Sequence, residues 1–111
     1  MPTAKRVSSL ISQECATIPS GGVAVFDQTE TSDFRVREYT ISITDEANGR
    51  NKIVKLLRVN REGLINYTVF SKIGSIIDVD FSSPVSGSTT HLEINNNEPV
   101  TISVCVTRFD I

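Results

Sequence analysis

A chain of 111 residues with 11 basic and 13 acidic side chains, formal net charge −2, has the length of one domain and lacks the basic balance of a nucleic-acid binder. No stretch nears the roughly 20 apolar residues of a membrane span, and the N-terminus, broken by Ser and Gln, has no signal-peptide core. Val, Ile and Thr supply 35 residues and Leu, Ala and Met only 10. β-branched side chains lose rotamer freedom in helices and suit pleated surfaces, so the composition predicts strands nearly throughout.

In chain order, residues 1–20 alternate poorly, hold the neighbours Leu10 and Ile11, and end in the punctuation Pro19-Ser20-Gly21-Gly22. They read as an N-terminal arm or edge strand leading into a domain over residues 21–111. Val23, Val25 and Phe26 begin a strand, and Asp27 to Asp33 is a polar loop. Phe34 and Val36 have one parity and Tyr39, Ile41 and Ile43 the other, which predicts a bulge or bend near Arg37-Glu38. Asn48-Gly49 offers the positive-φ pair of a hairpin turn.

The strand from Lys52 to Asn60 is apolar on both faces, with Val54 and Leu56 on one and Ile53, Leu57 and Val59 on the other. It predicts a strand covered twice, by its own domain or by another subunit. After Arg61-Glu62-Gly63, residues Ile65, Tyr67, Val69 and Ile73 share a phase that Phe70 breaks. Ile77, Val79 and Phe81 alternate next, Leu92 and Ile94 follow a polar loop, and Val100, Ile102, Val104 and Val106 give the sharpest pattern. The C-terminal segment is therefore expected inside a sheet. These elements predict an all-β fold, an antiparallel β-sandwich (jelly-roll-like or Ig-like) of about 7–8 strands with an N-terminal arm.

Reactive chemistry is sparse. His91 is the one imidazole and reads as a solvated surface side chain, and no Ser lies in a Gly-x-Ser-x-Gly elbow. Asp78 and Asp80 share a strand face about 7 Å apart, without the crowd of oxygen ligands that calcium requires. Cys15 and Cys105 lie 90 positions apart; a bridge would close a long loop, but a chain outside the secretory route predicts two reduced, buried thiols. Arg50, Lys52, Lys55, Arg58 and Arg61 fall on both faces of one hairpin, so they predict pairing with acidic residues rather than a phosphate-tracking stripe. No catalytic residue, metal ligand or cofactor is expected, and the chain reads as non-enzymatic.

Val25-Phe26-Asp27 with its polar loop, Phe34-Arg35-Val36-Arg37-Glu38-Tyr39-Thr40-Ile41-Ser42-Ile43-Thr44, Ile53-Val54-Lys55-Leu56-Leu57-Arg58-Val59 and the last strand with Arg108 resemble a small β-sandwich domain of structural proteins in marine tailed bacteriophages, especially cyanophages. The basic Lys52–Arg61 strand departs from that pattern. The resemblance implies a virion protein assembled in the host cytoplasm. The role it most directly implies is a capsid decoration or cement protein that self-associates (a homo-oligomer) and binds major capsid or tail proteins. A tail, collar or sleeve component, or a carbohydrate-binding host-adhesion module, is the alternative. The doubly apolar hairpin and the arm supply the candidate interface: Leu10, Ile11, Lys52, Val54, Leu56, Arg58 and Phe70.

Overall fold

The computed structural model describes residues 11–33 and 35–111. Nine strands run through them: β1 Ile11–Ile18, β2 Val23–Glu30, β3 Val36–Asp45, β4 Arg50–Arg61, β5 Leu64–Gly74, β6 Val79–Ser82, β7 Val85–Ser86, β8 Thr89–Asn96 and β9 Ile102–Asp110. A single 3-10 turn, Thr31–Asp33, interrupts them. The larger sheet is ordered β1-β9-β3-β4-β5 and the smaller β2-β8-β6, with β7 also pairing β8, all antiparallel. Among the described residues no helix is long and apolar enough to cross a membrane.

The all-β antiparallel sandwich read from the sequence is the architecture that forms. Strand number exceeds the expected 7–8 because Ser83-Pro84 splits one edge into β6 and β7, and because Ile11–Ile18 is a full strand. Period-two alternation builds the core. Tyr39, Ile41 and Ile43 of β3, Val54 and Leu56 of β4, and Ile102, Val104 and Val106 of β9 all turn inward and are buried. They pack in one cluster with Phe26, Leu92 and Ile94 of the smaller sheet. Buried Asn96 ties the β1–β2 turn to the β8–β9 turn, its amide donating to the carbonyls of Ile18, Pro19 and Val100.

Four local expectations are corrected. β3 pairs β4 from Val36 to Asp45 without a register shift, so there is no bulge near Arg37-Glu38. The inward position there is filled by buried Arg37, which an apolar count cannot register. The extra residue instead falls in β2, between Phe26 and Thr29, and Asp27 there has φ 53°; the chain continues as strand to Glu30 rather than as a loop. A second shift, between Lys55 and Leu56 of β4 and their β5 partners, leaves Phe70 as the extra residue. Ile73 consequently pairs with outward Ile53 instead of keeping phase with Ile65, Tyr67 and Val69. Finally, both residues of Glu62-Gly63 have positive φ, 56° and 87°, and make the two-residue β4–β5 turn, whereas at Asn48-Gly49 only Gly49 does.

The cysteines are also corrected. Register sets Cys15 of β1 opposite Cys105 of β9, their Cα atoms 4.0 Å apart, and the two sulfurs are bonded. They lie on the outer face of the larger sheet, because Val104 and Val106 on either side turn inward. Compartment reasoning favoured two buried thiols. Cys15 is instead exposed and covalently fastens the edge strand.

Candidate functional site

Two features stand out once the strands are placed: a buried ionic cluster between the sheets and an apolar outer surface on the β4–β5 hairpin. In the cluster, the β3–β4 register puts Arg37 directly opposite Arg58 on the inner face. Like charges facing across a ladder repel, so this pairing requires an anion between them. Asp27, from the opposite sheet, supplies it. Its carboxylate lies 3.0 Å from Arg37 Nη1, 3.4 Å from Arg58 Nη1 and 2.7 Å from Arg108 Nη1. The Tyr39 hydroxyl donates to the same carboxylate at 2.5 Å and accepts from Arg58 at 2.7 Å. Arg58 also donates to Ser83 and Thr90, and Arg37 and Arg108 both pair with Asp110.

The left-handed backbone at Asp27 turns its amide to the Glu14 carboxylate, which accepts at 2.6 Å. Asp is one of the few side chains that tolerate this conformation. Burial first, and then the neighbouring Asp27 carboxylate working against Arg58, hold the Tyr39 phenol protonated well above its ordinary range. Every charged group of the cluster is engaged by another, so the arrangement locks the two sheets together. It leaves no titratable group poised at an open cleft.

A smaller clamp closes the opposite end. Arg50 donates to Asp45 at 2.6 Å and to Glu98 at 2.7 Å, and also to the Ile76 carbonyl. Hydrogen bonds from Asn48 and then Arg50 lower the Asp45 pKa; those from Arg50 and then the Asp78 amide lower that of Glu98. Because both folded values lie below the unfolded ones, their stabilisation is complete above the ordinary carboxylate range of about pH 4–4.5 and is lost as pH falls through the depressed values. Acid titration of thermal stability should therefore show a decline below about pH 4. That decline flattens in Asp45→Asn/Glu98→Gln. An unchanged acid limb in the double variant would show that the clamp contributes nothing.

The structure scatters the residues that the sequence assigned to an interface. Leu10 lies outside the described residues, and for Ile11 only the backbone place in β1 is described. Val54, Leu56 and Arg58 are fully buried within the subunit, so these three are corrected from interface to core. Lys52 also turns inward, donating to the Ile77 carbonyl at 2.9 Å, and desolvation, then Lys72, lowers its pKa. Among the members of the set whose side chains are described, Phe70 alone is exposed.

The other side of the hairpin is the open one. Ile53 and Val59 of β4 are partly exposed, Leu64 and Ile73 of β5 are each 66 % exposed, and Ile76 just beyond is 87 % exposed. Of the other sequence candidates, His91 is half-buried and lies 3.2 Å from Glu93. Asp78 and Asp80 are bridged by the Asn97 amide. Among the described residues no three metal-ligating side chains gather. The sequence reading missed Asp27 and Arg37 altogether. Arg37, Arg58 and Arg108 each sit two positions from a core residue in the same phase, a signal that was present.

No family model and no curated protein matches the chain. Among solved structures, it superposes on the tailspike protein of Acinetobacter phage vB_ApiP_P1 with a TM-score of 0.59 at 11% identity. The match covers 90% of this chain and 21% of that one. A tailspike of Acinetobacter baumannii bacteriophage Fri1, a capsular polysaccharide depolymerase, aligns at TM-score 0.47 and 18% identity, over 90% of this chain and 17% of that one. This chain thus spans about a fifth of the length of the tailspikes it resembles. At such identity the first likeness is one of fold.

Proposed function

We propose that this chain is a non-enzymatic structural component of a tailed-phage virion, associated with the tail and working through protein contacts. The observation that carries this reading is the likeness of nine-tenths of the chain to one segment of a phage tailspike. It favours a tail position over the capsid decoration role that the sequence resemblance implied. Two further features support a structural role. The ionisable groups between the sheets are spent on one another, as a rigid scaffold requires. The exposed Cys15–Cys105 bridge suits a virion surface, one of the settings in which disulfides persist.

A host-adhesion module is the second reading, favoured by the same tailspike likeness. The aromatic platform on which sugars usually stack finds little material here: Phe26 and Tyr39 are in the core, and among the described aromatics only Tyr67 and Phe70 are largely exposed, with the Tyr67 hydroxyl donating to the Phe81 carbonyl. Labelled antibodies against the chain, applied to purified parent virions in the electron microscope, test the main reading. Labelling at tails is the expected result. Label over capsids would return the decoration role, and protein confined to the soluble lysate would remove the virion reading altogether.

A further inference from the structure

Among the described residues the two sheets end in four edges, and three of these are blunted. β1 carries Glu14 and is fastened to β9 by the disulfide. β2 is interrupted by the extra residue at Asp27. The β6–β7 edge is broken at Ser83-Pro84. These are the usual defences against strand-to-strand association: charge, bulge and proline. β5 is different. From Leu64 to Val69, Leu-Ile-Asn-Tyr-Thr-Val, it has no charge, no proline and no bulge, and the shift at Phe70 comes only after this flat stretch.

The turn geometry fixes which backbone groups this edge offers. Arg61 and Leu64 close a two-residue turn and bond to each other, so Leu64, Asn66 and Thr68 direct their amides and carbonyls to β4. Ile65, Tyr67 and Val69 direct theirs away from the sheet.

We propose that β5 pairs antiparallel with β5 of a second copy, joining two larger sheets into one across a twofold axis at Tyr67. Self-complementarity selects that occupant. With the axis there, Ile65 faces the partner's Val69, so that outward-directed backbone groups meet in hydrogen-bonding pairs. Beyond Val69 the extra residue at Phe70 ends the simple register, but the twofold still brings the end of β5 that carries exposed Lys72 toward the partner's β4–β5 turn with its exposed Glu62, at both ends of the seam. The apolar outer residues Leu64 and Ile73 then lie near the seam rather than alone in water. This inference does not depend on the virion reading, because the purified chain alone decides it.

The register gives the test. Asn66 faces the partner's Thr68 in a pair without hydrogen bonds, where Cα atoms approach to about 4.5 Å, within disulfide range. An equimolar mixture of Asn66→Cys and Thr68→Cys proteins, mildly oxidised, should form a covalent heterodimer far in excess of either homodimer. In parallel, sedimentation of Asn66→Lys/Thr68→Lys should show self-association weakened about tenfold or more, with a thermal melt like the parent's. Equal cross-linking in all three samples would overturn the register. A parent chain that sediments as a monomer at its highest soluble concentration would overturn the proposal, and so would a folded Lys variant that associates as the parent does.

Discussion

Asp27→Asn should lower unfolding stability by about 3–5 kcal/mol, the usual loss when one member of a buried ion cluster is removed and its partners stay. Asn keeps the volume and tolerates the left-handed backbone, so the substitution removes charge without disturbing the bulge. What remains is an imbalance. Arg37, Arg58 and Arg108 would face one another with only Asp110 and the more distant Glu14 for compensation. Arg58→Met should cost about half as much, because it leaves Arg37 and Arg108 still balanced against Asp27 and Asp110. Urea melts of the two variants measure the order directly. If Arg58→Met proved the more damaging, packing and not charge balance would be what the cluster provides.

Opening the disulfide should have a comparable effect. Cys15 and Cys105 are 90 residues apart, and a closed loop of that length stabilises by about 4–5 kcal/mol in the chain-entropy account. For a domain of this size that corresponds to a fall in Tm of roughly 15–25 °C. Cys15→Ser/Cys105→Ser is the suitable variant, since both positions lie on the outer face, where a hydroxyl is at ease. The loss should concentrate at β1, whose Ile18 is fully buried in the core and whose other flank has no described partner strand. Hydrogen exchange would show Ile11–Ile18 losing protection before β3 and β4. Intact mass provides the prior check: the parent must be two hydrogens lighter than its reduced form. Equal masses would mean that the sulfurs are not joined.

Much of the architecture is written in strict alternation. β3 from Tyr39 onward, β8 and β9 repeat their side-chain pattern every two residues, and parity alone assigns their inner faces correctly. The failures share one cause. A rule that equates inward with apolar fails wherever the interior is ionic, and at Arg37 and Arg58 it turned core positions into a bend and an interface. Asp27 was harder still, because its cationic partners come from three other strands, β3, β4 and β9, and lie up to 81 residues away. The open surface was legible as a doubly apolar hairpin, but which side closes on the smaller sheet is a matter of packing. Local pattern is silent on that choice. The disulfide was misjudged because a compartment argument outweighed the geometry: two cysteines on adjacent strands in register need only the right neighbours.

The placement of β9 between β1 and β3 has a consequence for biogenesis. The β3-β4-β5 meander can zip up from adjacent hairpins while the polypeptide is still being made. β1 has no such option, because its neighbour is synthesised some ninety residues later. Until then a slot stays open in the nascent sheet, bordered by unsatisfied edges on both sides. Assembly is thus gated by the arrival of a single late segment, and crowded translation without chaperone cover is where this fold is most exposed to misassociation.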